Sequence, residues 1–256
     1  MEFLAYLTQG NVITFFLLFV RTGALMLFFP FFSHAQIPVV IKTALALTLA
    51  VFLLPMAKAP NLANIGIEYL VLETLAELLF GLIAGGLLTI CFGALSLAGE
   101  QISMVMGFSM ANVMDPQTGV QSPLISNMLT LLVLTAFLLA DGHHIILQFL
   151  GKSMQYIELG GFYPSENLWK YTAKSVVNMF LFGFIAAFPI LALALMSDFI
   201  FGMLMKTMPQ FNLLVVGFPI KIVVAFAVLM AIISAIIRLF NSLLVKILND
   251  FPFLFF

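Results

Sequence analysis

Two stretches of the chain, Leu78 to Ala98 and Ser175 to Ser197, contain no charged residue at all. Each is as long as the roughly 20 apolar residues that a helix needs to cross the hydrocarbon core of a membrane. Apolar residues make up 63% of the 256 residues and charged residues only 8%, whereas a soluble domain is about 25% charged. This number of charged residues is too small to cover a water-exposed surface. The composition therefore excludes a soluble globular enzyme and a disordered chain.

Further apolar segments predict an all-α integral membrane domain built of helical hairpins. About six segments lie near 11–32, 37–57, 70–98, 123–140, 175–197 and 210–237. Because six spans use about half of the chain, we predict one domain over residues 1–256. Prolines and glycines break several of these helices, and Pro30 and Pro38 predict a tight helical hairpin between the first two segments. Such interrupted spans suit helices that are covered largely by other protein.

Charged residues inside the apolar segments are few: Arg21, Lys42, Lys221, Glu73 and Glu77. A charge at the centre of a membrane helix costs about 2.5–3.5 kcal/mol on insertion scales. Two interpretations stay open, a proton or ion relay and a set of interhelical pairs or interfacial positions. Arg21 lies centrally in its segment, and the sequence does not choose its acidic partner.

A polar, glycine-bearing segment follows the third apolar segment, and it is rich in methionine. Phe108 and Gly107 lie among Met104, Met106, Met110 and Met114. Methionine adapts to irregular contacts, which fits a deformable seal across a pore as well as an ordinary apolar helix face. Gly107 and the pair Asp115-Pro116, which is typical of a turn, favour a re-entrant loop. Such backbone is tolerated at membrane depth only inside protein or beside a water-filled cavity.

A second unusual stretch lies near the start of the last apolar segment. Its distinguishing residues are Pro209, Gln210, Asn212, Pro219 and Lys221. Two prolines that flank a short apolar piece predict a broken helix at a subunit contact or pore wall, or a plain loop between two spans. The residues alone leave these two interpretations even.

Other chemistry has little support in the sequence. The cluster Asp141-Gly142-His143-His144 has only His34 as a further histidine, so we interpret it as an interfacial turn, with no metal site. Alternatives are an intramembrane hydrolase that uses Asp141, His143 or His144, and a small secondary transporter with a midplane site at the proline-broken helices. The net charge of −1 argues against nucleic acid as a partner.

At both unusual stretches the chain resembles the FliR family of flagellar export-gate proteins, which has homologues in virulence type III secretion. The resemblance rests on MGFSMANVMDPQTG (106–119) and MPQFNLLVVGFPIKI (208–222). The Pro30/Pro38 hairpin with Lys42 and the Ala140 to His143 piece support it, although Asp141 stands where the family has a small residue. The run VVGFPIKI favours the flagellar branch.

The resemblance implies a function that the residues alone do not. Members of this family are not enzymes and need no cofactor. One copy joins several copies of FliP and FliQ at the entrance of the export channel, with FlhB and FlhA nearby, in the bacterial inner membrane at the flagellar basal body. The family fold is like FliP and FliQ joined in one chain. The loop over Met104 to Gln121 would plug the closed channel, in contact with exported unfolded proteins, while other surfaces face membrane lipid.

Overall fold

A computed structural model describes residues 9–33, 37–57, 67–108, 123–208 and 213–255. Their elements are all helical, which confirms the predicted all-α class. In chain order they are α1 (Gln9–Phe28), α2 (Pro30–Ser33), α3 (Val39–Leu53) with a 3₁₀ turn (Leu54–Met56), α4 (Ile67–Val105), α5 (Leu124–Leu139), α6 (Gly142–Tyr156), α7 (Glu166–Thr207), a π-helical turn (Leu213–Gly217) and α8 (Phe218–Phe255).

Several of these helices are long and apolar enough to cross a membrane. Among the described residues there are four such helices, or five if α5 and α6, which are bent by 65°, count as one span. Helices α4, α7 and α8 have 39, 42 and 38 residues. At a rise of 1.5 Å per residue α7 is about 63 Å long, roughly twice the thickness of a hydrocarbon core.

Two of the apolar segments predicted from sequence, 70–98 and 175–197, are shorter than the helices α4 and α7 that contain them. Segment 210–237 stops well before the end of α8, because the helix continues as an amphipathic stretch in which polar residues are interspersed among the apolar ones. Its buried side chains recur at helical spacing: Leu244, Ile247, Leu248 and Phe251. A mean hydropathy over such a stretch is low although one face is buried.

The chain divides into two compact units. The first contains the described residues of Met1–Ile90, Ala140–Ser175 and Leu244–Phe256, and the second those of Cys91–Leu139 and Val176–Leu243. The prediction of a single domain over residues 1–256 stays a prediction.

In the first unit, α1 and α3 pack against each other as an antiparallel hairpin. Leu17 and Leu18 of α1 share a buried cluster with Ala50 of α3, and one turn further along Thr22 Oγ1 donates a hydrogen bond to the carbonyl of Ala46 at 3.2 Å. This is the hairpin that the prolines predict.

Phe80 of α4 is the centre of an aromatic cluster in the same unit. Its ring lies 5.8 Å from that of Phe149 and 5.2 Å from the rings of Phe162 and Phe255, measured between centroids. Aromatic pairs at these separations contribute about 0.5–1.5 kcal/mol each beyond their buried area. The cluster joins α4, α6, the segment after α6 and the end of α8.

In the second unit small residues let helices approach closely. A Cβ built on Gly183 of α7 would lie 2.8 Å from the carbonyl oxygen of Ala94 in α4, and one built on Gly99 would collide with the backbone of Ser126 in α5. Ser126 Oγ also donates to the carbonyl of Ser96 at 3.0 Å. Close contact through small residues and interhelical hydrogen bonds is typical of helices packed in membranes.

Candidate functional site

The end of α4 directs the chain into the methionine-rich segment. The Met106 N–H donates to the carbonyl of Ile102 at 2.9 Å, and the Gly107 N–H donates to the carbonyl of Met104 at 3.2 Å. Gly107 has a φ of +86°, the left-handed conformation that commonly ends a helix and that glycine adopts without strain. Met106 is fully buried while Met104 is 71% exposed, so these two methionines lie on different faces.

Residues 107 and 108 both contact the beginning of α8. A Cβ at Gly107 would lie 3.0 and 3.1 Å from ring carbons Cε1 and Cδ1 of Phe218. The ring of Phe108 meets the edge of the Phe226 ring, with centroids 6.0 Å apart and an interplanar angle of 78°. The base of the methionine-rich segment is therefore held against the first turns of α8.

The beginning of α8 is itself irregular. The π-helical turn Leu213–Gly217 leads directly into the helix, and π-helical turns often occur at functional sites. Pro219 is the second residue of α8 and has no N–H to donate to a carbonyl of the π-helical turn that precedes it. Lys221 is buried, and its Nζ lies 2.7 Å from Oδ1 of Asp198 on α7, whose side chain is 58% exposed.

The two stretches that the sequence singles out thus come together in the second unit. Gly107 and Phe108 belong to one, and Pro219 and Lys221 belong to the other. The remaining predicted residues lie outside the described residues: Met110, Met114, Asp115, Pro116, Pro209, Gln210 and Asn212.

Arg21 lies in the first unit, away from these residues in the chain, and its partner is Glu77. The guanidinium forms a two-pronged ion pair with this carboxylate, with Nη2 2.7 Å from Oε1 and Nε bonded to Oε2. Nη1 donates to Ser153 Oγ at 3.2 Å, the Gly160 N–H donates to Glu77 Oε1 at 2.6 Å, and the Phe80 ring centroid is 4.8 Å from the guanidinium carbon. Arg21, Glu77 and Ser153 are fully buried, so the charges are paired within the protein.

The other predicted polar positions lie at helix ends. Lys42 is the fourth residue of α3 and lines a cavity in the first unit. Asp141 has a φ of +55° at the 65° bend between α5 and α6, which confirms the predicted turn, and His143 and His144 are exposed. In the part of the chain that the structure describes, no three His, Cys, Asp or Glu side chains are placed to hold a metal ion.

Sequence reasoning missed the partners of the predicted residues. Asp198 follows directly after the uncharged stretch 175–197, so its position at the end of a span was a usable signal for pairing with Lys221. Phe226, Ser153 and Gly160 gave no such signal, because phenylalanine, serine and glycine are common in apolar helices and loops of this chain.

Comparison with known proteins supplies the family. The family called bacterial export proteins, family 1, matches residues 12–247. The chain belongs to this family. It is 36% identical over 218 residues to the flagellar biosynthetic protein FliR of Bacillus subtilis (strain 168), covering 84% of each chain. Its identity to FliR of Escherichia coli (strain K12) is 26% over 239 residues, 91% of each chain. For FliR of Aquifex aeolicus (strain VF5) it is 29% over 227 residues, 87% of this chain and 86% of the relative. The resemblance drawn from the two motifs is confirmed.

Proposed function

We propose that the chain is a non-enzymatic subunit of the flagellar type III protein export apparatus. It acts in the bacterial inner membrane at the flagellar basal body, with FliP and FliQ as partners at the channel entrance and FlhB and FlhA nearby. Support comes from the family match over residues 12–247, from relatives named flagellar biosynthetic protein FliR and from the four or five helices able to span a membrane among the described residues. The proposal requires neither a cofactor nor nucleic acid.

The methionine-rich segment that begins at Met104 closes the channel in this proposal. The observation that carries this role is the contact of its base, Gly107 and Phe108, with Phe218 and Phe226 at the start of α8. Flexible methionine side chains then seal around one another and deform when a peptide passes, and an apolar constriction of this kind excludes hydrated ions.

The contact at the base of the methionine-rich segment is weak enough for a segment that must also leave its closed position. An edge-to-face pair such as Phe108 and Phe226 contributes about 0.5–1.5 kcal/mol beyond its buried area. Contacts of this size at the base hold the segment closed at rest and are weak enough for an exported unfolded chain to replace. Opening therefore needs no refolding of α4 or α8.

Substitution of Gly107 tests the closure. In Gly107→Ala a Cβ at a φ of +86° costs about 1–2 kcal/mol and presses on the Phe218 ring, so we expect the segment to leave its closed position and the membrane to leak ions. A strain that lacks its own copy would be complemented with wild type, Gly107→Ala or a variant that lacks 108–110. Ion leakage is read from a membrane-potential dye, and export from the amount of a secreted flagellar protein.

Gly202→Ala is the matched control, since a Cβ on this glycine of α7 meets no atom within 4 Å. It should leave both ion leakage and export at wild-type levels. If the Gly107 variant and the deletion also leave both quantities at wild-type levels, the closing role is wrong, although membership of the export apparatus would stand.

Membership of the apparatus has its own test. The tagged full chain would be co-expressed with its operon neighbours and analysed by native mass spectrometry. We expect one copy of this chain in an assembly with multiple copies of other small membrane proteins. A stable monomer or homodimer in the presence of those neighbours contradicts the proposal.

A further inference from the structure

A cavity of about 520 Å³ lies in the first unit between α1, α3 and α4. Apolar residues such as Phe19, Leu27 and Leu82 form most of its wall, and of the described residues that line it only Lys42 and Thr43 are polar. These two are neighbours on α3, so the cavity has one polar end and an otherwise apolar interior. Its volume lies within the range of about 300–1,000 Å³ that is usual for small-molecule sites.

The polar end of the cavity is positively charged. Among the described residues that line the cavity, Lys42 is the only charged one, and it lies in the first turn of α3, whose 15 residues begin at Val39. The positive end of the helix dipole is therefore close to the lysine ammonium, and both favour an anion. The carbonyl of Pro38 accepts the N–H groups of Ile41 and Lys42, at 3.0 and 3.4 Å, so Lys42 has its ammonium, and not its backbone N–H, available for an incoming anion.

The same end lies at the boundary of a candidate membrane span. The span Val39–Met56 starts at the first residue of α3, and only 11% of it is buried within the protein. Lys42 is thus within one turn of the end of a hydrocarbon-length segment, where a lysine can extend its ammonium toward lipid headgroups. The apolar lining of the cavity and the position of Lys42 at the end of the span suit an acyl chain whose headgroup lies at the membrane surface.

We propose that this cavity binds one acyl chain of an anionic phospholipid, whose phosphate pairs with Lys42. Apolar volume, a single cationic end and its position at the membrane boundary each match a part of that molecule. Basic pockets between transmembrane helices are known to bind anionic lipid headgroups. Unlike the closing role of the methionine-rich segment, this inference does not depend on the proposed function.

Gly23 of α1 allows the cavity to be filled without a collision. It lines the cavity, and a Cβ placed on it would meet no atom within 4 Å. Gly23→Leu therefore directs a side chain into the space that the acyl chain would occupy, and leucine also favours the helix more than glycine does. Gly202→Leu is the matched control, because Gly202 is equally open but lies on the exposed surface of α7.

The experiment uses the purified full chain and native mass spectrometry. Wild type, Gly23→Leu, Gly202→Leu and Lys42→Gln are incubated in mixed micelles that contain equal amounts of phosphatidylglycerol and phosphatidylcholine. We expect wild type and Gly202→Leu to retain one phosphatidylglycerol in preference to phosphatidylcholine. Lys42→Gln should reduce that preference about fivefold, the effect of one lysine near an anionic surface, and Gly23→Leu should lose retention of both lipids.

Three results would overturn the inference. Equal retention of the two lipids by wild type excludes a role for charge, and unchanged retention in Gly23→Leu excludes the cavity. In the second case, failure of Gly23→Leu to assemble with co-expressed operon neighbours would show that a helix of another subunit fills the cavity. Thermal unfolding in detergent checks that Gly23→Leu is folded; if it is not, an unchanged lipid preference in Lys42→Gln overturns the inference by itself.

Discussion

Arg21→Met removes a guanidinium that is completely buried and that donates to both oxygens of Glu77 and to Ser153. Of the hydrogen-bond donors described above for Glu77, only the Gly160 N–H, 2.6 Å from Oε1, remains in this variant. Loss of one member of a buried ion pair costs about 3–5 kcal/mol, because the other charge stays buried without compensation. We expect the free energy of unfolding to fall by that amount. Glu77→Gln should cost a similar amount, since it leaves the guanidinium uncompensated.

The double substitution Arg21→Met with Glu77→Gln separates the cost of an unpaired charge from the loss of packing. No charge remains buried in this variant, and a glutamine oxygen can still accept the Gly160 N–H. Replacement of a buried ion pair by neutral groups of similar volume is often neutral or stabilising. The double variant should therefore lie within about 1–2 kcal/mol of wild type, far from the sum of the two single effects.

Unfolding in mixed micelles with increasing dodecyl sulfate, followed by circular dichroism, measures these free energies. Arg238→Met is the control, because Arg238 lies exposed on α8 and should change stability by no more than about 0.5 kcal/mol. Single substitutions that each cost less than about 1 kcal/mol, or a double variant whose loss equals the sum of the singles, would show that this pair does not hold α1, α4 and α6 together.

Two further predictions use the same unfolding measurement. Gly160→Ala should lower the free energy of unfolding by about 1–3 kcal/mol, because Gly160 has a φ of +80° and a Cβ there would lie 2.7 Å from the Cβ of Glu73. Gly161→Ala should cost clearly less, because its Cβ would be no closer than 3.3 Å to a neighbour. Equal losses in the two variants would contradict the conformational reason. Lys221→Met should lower the free energy of unfolding by only about 1 kcal/mol, because the Asp198 side chain is half-exposed and stays hydrated. A loss above about 3 kcal/mol would show that this carboxylate is buried in the folded chain.

Features that depend on local composition or on the backbone restriction of single residues were predictable from the sequence. The uncharged stretches at 78–98 and 175–197 lie inside α4 and α7, and Pro30 and Pro38 mark the connection of the α1–α3 hairpin. Asp141 lies at the bend where the turn was predicted. These features are local, because each follows from the composition or backbone restriction of a few consecutive residues.

Features that depend on burial of one helix face were not predictable in the same way. Helix α6 follows the turn at Asp141, but the sequence gives no apolar segment there, because only one face carries the buried side chains Ile146, Phe149 and Leu150. Ion-pair partners were undetermined for a different reason. Arg21 and Glu77 are 56 positions apart, and such a pair is set by how the helices pack and not by any spacing in the sequence.

Several local irregularities lie where the methionine-rich segment leaves α4. Gly107 is left-handed, a π-helical turn precedes α8, Pro219 occupies its first turn and Lys221 is buried beside it. Each of these features is unfavourable or neutral for a regular helix bundle, and together they occur within one small region of the second unit. Departures from local preference that cluster in space are expected at sites where function and not stability selects the residue. The contact of Gly107 with Phe218 joins two of these departures directly, so under the proposed closing role a substitution at either stretch should affect closure of the channel in the same direction.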